Sequence, residues 1–235
     1  MSEEFISANI AKVLAQVSTA AQKHGRAADA VRVMAVSKTQ PVEAVRAAAK
    51  AGLRDFGENY LQDALAKIEA CADLPLCWHF IGPIQSNKTR QLAANFAWVH
   101  SVDREKILQR LNDQRDKKLG PLQICLQVNI SGEASKSGAR AEDLPALAAL
   151  AEELPLLRLR GLMAIPAPSD DFDEQREAAA KLARLYEQLQ GDYPAMDTLS
   201  VGMSADLEAA IAAGSTMVRI GTAIFGPRRA KPPSS

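Results

Sequence analysis

The fold turns on residues 31–38, Val31-Arg32-Val33-Met34-Ala35-Val36-Ser37-Lys38. The run is apolar and rich in β-branched residues, the pattern of a strand buried on both faces in a parallel sheet. It stops on a lysine, and Thr39-Gln40-Pro41 follows, with Pro41 suited to the first turn of a helix. An amine at the end of a buried strand is poorly hydrated, and desolvation favours its neutral, nucleophilic form. The same residue also reads as an ordinary lysine whose stem snorkels into water. Both readings stand at this point.

Outward from this strand the same unit recurs. Residues 5–24 form an amphipathic helix, with Ile6, Ile10, Val13, Leu14 and Val17 on its apolar stripe and Gly25 as its stop. Further strands are expected at 55–60, 77–82, 98–102, 122–130, 159–165, 198–201 and 217–225. Helices are expected between them at 41–51, 61–69, 87–96, 104–114 (with Asp103 as N-cap), 144–154, 171–190 and 205–213. Apolar strands alternating with helices imply a parallel sheet covered by helices. Eight such units within 235 residues imply a single α/β domain, a closed (β/α)8 TIM barrel with an extra N-terminal helix. An open doubly wound sheet would carry a glycine-rich turn after its first strand, and Val36-Ser37-Lys38-Thr39 is not one. The barrel is assigned to residues 1–228 and a disordered, solvated tail to 229–235.

Bulk properties narrow the function classes. Lys plus Arg and Asp plus Glu both total 28, so nothing steers the chain toward nucleic acid or an anionic membrane. Glu3 and Glu4 stand where a secretory signal would be basic, and the expected location is cytoplasmic. Cys71, Cys77 and Cys125 are an odd, scattered set that fits reduced thiols. Cys77 and His79 are close in sequence, but no second ligand pair has metal spacing, and no metal is expected.

Barrel chemistry sits at the carboxyl ends of the strands. Those ends carry Lys38, then Asn59, then the run from His79 to Gln85, then Met163, then Ser204, then Arg219, Gly221 and Thr222. The loops after the seventh and eighth strands of such barrels often bind phosphate beside a helix N-terminus. Ser204 is placed to cap the helix beginning at 205, Gly221 allows close backbone approach, and Thr222 adds a hydroxyl. Strand alternation points Arg219 into the barrel, where it requires a buried partner, either a carboxylate or a ligand atom. A reactive lysine facing a phosphate cradle leaves two chemistries open. One is a Schiff-base aldolase acting on a phosphorylated substrate. The other is pyridoxal phosphate, whose own phosphate fills the cradle while the lysine holds its aldehyde.

Several motifs together resemble a known family. Ala35-Val36-Ser37-Lys38-Thr39, Phe56-Gly57-Glu58-Asn59-Tyr60, and the run from Trp78 to Lys88 are similar to the pyridoxal phosphate homeostasis proteins. So are Ser135-Lys136-Ser137-Gly138, the run from Gly161 to Pro166, Gly202-Met203-Ser204-Ala205-Asp206, and the run from Gly214 to Thr222. The resemblance runs in order from about residue 5 to 227. Ile84 and Asp63 depart slightly from the usual pattern. It implies a barrel related to that of alanine racemases, the fold-type III pyridoxal phosphate barrel, with the cofactor bound to Lys38 as an internal aldimine. Ser204, Gly221 and Thr222 would then hold the phosphate, Arg219 would face the pyridine nitrogen, and Asn59, His79 and Met163 would surround the ring. It also implies a non-catalytic carrier or buffer of the vitamin B6 pool, with apo-enzymes as recipients. A racemase-like enzyme is the alternative. Racemisation needs an acid/base on each face of the substrate carbon, and only about ten residues follow the last strand to supply a second. Monomer is the expected state, and Lys136 is weighed as a secondary site against a plain solvated lysine.

Overall fold

Eight parallel strands pair in chain order and the last returns to the first, closing a barrel in the computed structural model, which describes residues 2–132 and 137–227. The strands are β1 (Arg32–Val36), β2 (Asp55–Glu58), β3 (Cys77–Phe80), β4 (Trp98–Val102), β5 (Leu122–Gln127), β6 (Leu157–Met163), β7 (Thr198–Ser200) and β8 (Met217–Ile220). Around them run α1 (Glu3–Lys23), α2 (Val42–Lys50), α3 (Leu61–Ala70), α4 (Thr89–Asn95), α5 (Glu105–Gln114), α6 (Leu144–Glu153), α7 (Phe172–Gln190), α8 (Leu207–Ala212) and α9 (Thr222–Phe225). Closure sets Ala35 of β1 against Phe56 of β2 on one side, and Met34 against Arg219 of β8 on the other. No strand then presents unpaired N–H and C=O groups at an edge.

Period-two alternation sorts each strand into two layers. Val33 and Ala35 join the large apolar cluster, which also takes in Val45 and Ala48 of α2. Met34, between them, is fully buried but stands outside that cluster. It packs across Gly57, where an added Cβ would lie 2.6 Å from the methionine sulfur.

Ser2 caps α1 by accepting the Phe5 N–H at 3.2 Å, and Ile6, Ile10, Val13, Val17, Ala20 and Ala21 bury its inner face. The helix packs on α2, α8 and α9. Asn9 donates to the Ile224 carbonyl at 3.1 Å, and Arg26 donates to the carbonyls of Ile211 and Ser215. Leu14, counted with the apolar stripe, is instead 43% exposed, off the packed face.

Elements predicted from sequence recur in place and order, with differences at their ends. The strand expected at 217–225 stops at Ile220, because Gly221 turns to helical backbone and α9 takes the remaining residues. The helix expected at 205 begins at Leu207. Asp206 holds its N-cap position and accepts the Met203 N–H at 2.6 Å, so Ser204 is not the cap. Asp103 pairs with the guanidinium of Arg104, and Arg104 takes the N-cap position of α5. The tail at 229–235 and Lys136 lie outside the described residues. Among the described residues no helix is long and apolar enough to cross a membrane.

Gly161 tests how tightly closure spaces the strands. It pairs with Thr198, and a Cβ there would lie 1.7 Å from the Thr198 carbonyl oxygen. Gly161→Ala is expected to lower stability by more than about 1 kcal/mol. The check is the urea midpoint; an unchanged midpoint would mean that β6 and β7 separate without cost.

Candidate functional site

The carboxyl ends of the strands open into a cavity of about 260 Å³. Val36, Lys38 and Gln40 form one side of it, with Asn59 and Ile81 beside them. Ile165, Met203, Ser204, Ala205, Arg219, Gly221, Thr222 and Gly226 complete the wall. Six of the eight residues named from sequence therefore meet here: Lys38, Asn59, Ser204, Arg219, Gly221 and Thr222.

His79 and Met163 do not line this cavity. Both are fully buried, His79 beside His100, and Met163 in a cluster with Trp98 and Cys125. The reason is geometric. Side chains two apart share a strand face and differ in height by roughly 6–7 Å. Ile81 and Ile165, two residues further on, are the ones that reach the wall. That same count of two along an inward face would have found them in the sequence.

Lys38 is half-buried at the end of β1. Behind it, Gln40 donates its N–H to the Ser37 carbonyl at 3.0 Å, and Thr39 carries a φ of 64°. A left-handed threonine costs on the order of 1–3 kcal/mol and persists only where its surroundings impose it. Those surroundings include a buried triad. Lys67 of α3 donates to Glu58 Oε1 at 2.7 Å and to the Ser37 carbonyl at 2.8 Å. The Ser37 hydroxyl donates to the same Glu58 oxygen at 2.6 Å. Burial pushes the Glu58 carboxyl above its usual range, and the Lys67 charge and the Lys67 and Ser37 hydrogen bonds oppose that shift.

Arg219 is 4% exposed, as strand alternation required. Within the protein its partners are neutral oxygens and not a carboxylate. Nη1 donates to the Ser200 carbonyl and hydroxyl at 2.6 and 2.9 Å, and Nη2 donates to the Ala164 carbonyl at 2.8 Å. Burial lowers its pKa to about 10, which leaves it cationic at neutral pH. The cavity floor is thus a fixed positive charge held by neutral oxygens. On the wall nearby, Asn59 Oδ1 is a buried acceptor with no hydrogen-bond partner in the structure.

Below the floor runs a polar chain. His79 Nε2 lies 2.8 Å from Asp55 Oδ1, and His79 Nδ1 lies 2.9 Å from His100 Nε2. The carboxylate takes a hydrogen from Nε2, so in this network His79 accepts through Nδ1 and His100 donates through Nε2. Burial holds both imidazoles below their usual pKa. They stay neutral beneath Arg219.

The profile of the alanine racemase N-terminal domain matches residues 9–229. A Pseudomonas aeruginosa protein named "Pyridoxal phosphate homeostasis protein" is 61% identical over 230 residues, 98% of this chain and 99% of its own length. The Escherichia coli protein of that name is 53% identical over 226 residues, covering 95% and 97%. PipY of Synechococcus elongatus, solved with PLP bound, superposes with a TM-score of 0.82 at 34% identity, covering 94% of this chain and 100% of that one. An alanine racemase from Clostridium difficile shares the fold at 14% identity, with a TM-score of 0.71 over 88% of this chain and 56% of its own. The chain is therefore a barrel of the alanine racemase N-terminal domain class. Within that class it belongs to the pyridoxal phosphate homeostasis protein family.

Lys67→Met would strand the Glu58 carboxylate without its counter-charge. Removing one partner of a buried pair costs about 3–5 kcal/mol. A carboxyl whose folded pKa is raised favours the fold while protonated and loses that contribution as pH rises through the folded pKa. The variant's deficit is thus expected to be largest at neutral pH and to shrink toward pH 5. Denaturant unfolding across that range checks it, and a deficit independent of pH would contradict it.

Proposed function

We propose that the cavity holds pyridoxal 5'-phosphate and that the chain keeps and releases this cofactor, as a carrier or buffer, without turning over a substrate. The observation that carries this reading is the joint presence of Lys38, Arg219 and the Ser204, Gly221 and Thr222 cluster around one cavity. The donor set fits the cofactor. The Lys38 amine is the anchor for its aldehyde. The hydroxyls of Ser204 and Thr222, with the start of α9 at Gly221, suit a phosphate. Arg219 would face the pyridine nitrogen and, being cationic, would leave that nitrogen an unprotonated acceptor. Asn59, Ile81 and Ile165, on the cavity wall, would flank the ring. His79 and Met163 support the floor from beneath rather than touching it.

Bound there, pyridoxal phosphate supplies an aldehyde and a ring able to withdraw electrons. Arg219 restrains the second property, because an unprotonated ring is the weaker electron sink. Among the described residues the ionisable side chains on the wall are Lys38 and Arg219. Racemisation wants an acid/base on each face of the substrate carbon, and a guanidinium is a poor one. The names of the relatives and the PLP-bound PipY structure support the same reading. It takes the working unit as a cytoplasmic monomer and apo-enzymes needing this cofactor as recipients.

Purified protein loaded with the cofactor is expected to be yellow and to bleach with borohydride, leaving the reduced adduct on Lys38 in a peptide map. Lys38→Ala is expected to keep weakened binding through the phosphate cradle. Transfer to an apo-enzyme should differ in rate from free cofactor at equal concentration. A colourless protein that takes up no cofactor would sink the reading. Exchange of an amino acid's α-proton with solvent deuterium, well above the free-cofactor rate, would replace it with an enzyme.

A further inference from the structure

The opposite mouth of the barrel, at the amino ends of the strands, holds a second cluster of reactive side chains. Asp55 opens β2 and Cys77 opens β3, and the two are paired in register. His79 lies two residues beyond Cys77, on the same strand face. One carboxylate oxygen, the thiol sulfur and one ring nitrogen of these three residues all lie within 4.8 Å of one another. Sequence spacing offered only the Cys77 and His79 pair; the sheet register brings the third group. We propose that Asp55, Cys77 and His79 form a binding site for a zinc-class divalent cation, separate from the cofactor cavity.

Four features argue for it. Mixed carboxylate, thiolate and imidazole donors are the ligand set of zinc and cobalt, and three protein ligands leave a fourth position for water. A carboxylate and a thiolate together neutralise a dication. The ring nitrogen of His79 that faces away from the metal, Nδ1, lies 2.9 Å from His100 Nε2. Such an outer contact is what fixes the orientation of a metal-bound imidazole. The site is also reachable, since the Asp55 side chain is 23% exposed and Cys77 is half-buried. The charge of nearby Arg32 acts on all three residues, while its guanidinium donates to Thr198 Oγ1 at 3.1 Å and stands 5.3 Å over the Trp98 ring. Binding releases one proton to solvent, from the thiol as the metal–sulfur bond forms. His79 and His100 each keep one ring N–H, now on Nδ1.

The test is a titration of the reduced, chelator-treated full chain with Co²⁺. A thiolate-to-cobalt charge-transfer band in the near ultraviolet is expected, saturating at one equivalent and displaced by Zn²⁺. Cys77→Ser should abolish the band and Cys71→Ser should keep it. Asp55→Asn should weaken the affinity by about tenfold or more. A folded wild-type chain without the band, or a band that survives Cys77→Ser, overturns the proposal and leaves the three residues a hydrogen-bonded cluster only. Should Cys77→Ser fail to fold, alkylation of the wild type decides: one equivalent of Zn²⁺ is expected to protect Cys77 and not Cys71. An unprotected Cys77 overturns the site.

Discussion

A parallel sheet closed on itself confines every inward side chain of eight strands to one narrow column. A polar group sent into that column is costly unless it finds a partner there, since water is largely excluded. The guanidinium groups of Arg32 and Arg160 stand 5.3 and 5.0 Å from the Trp98 ring centroid, and Trp98 stacks on His79. Asp55, His79 and His100 continue the column as a hydrogen-bonded chain. Arg219 ends it, held on carbonyls of two neighbouring segments. The cavity is the space left above that guanidinium. Its electrostatic character is set by what the column required, before any ligand is considered.

The lysine at the cavity wall depends on a different constraint. Its backbone leaves β1 through a left-handed threonine, a conformation that costs energy. The carbonyl of Ser37, the peptide oxygen just before Lys38, accepts from both Gln40 and Lys67. Glu58 at the end of β2 gathers Lys67 and the Ser37 hydroxyl on one oxygen. Two strand ends and one helix are thereby tied beneath Lys38. The buried charge pair does little for net stability on its own account; its geometric effect is to remove freedom from the Ser37 to Gln40 turn.

Fold class and element order were legible because strand and helix periods repeat without interruption from residue 32 to 220. That Ser204, Gly221 and Thr222 meet at one cavity was legible because they fall at an address that barrels reuse. Height within the barrel was not legible. His79 and Met163 sit one inward position too low, since nothing in Cys77-Trp78-His79-Phe80-Ile81 marks where the strand clears its neighbours. The partners of Arg219 were equally hidden, because backbone carbonyls carry no sequence signature. So was the approach of Asp55 to Cys77 and His79, which depends on strand register across 22 residues of chain.

The placement of α1 bears on how the molecule comes into being. This helix leaves the ribosome before every strand of the barrel, yet it docks on α8 and α9, which follow β7 and β8. Asn9 and Arg26 find their acceptors only once Ile211, Ser215 and Ile224 exist. Contacts that span nearly the whole chain are slow to form. Until then α1, with Ile6, Ile10, Val13 and Val17 on its inner face, can reach only α2 among the helices it finally packs on. A growing chain must therefore carry that oily stripe through synthesis, and chaperone dependence would concentrate there.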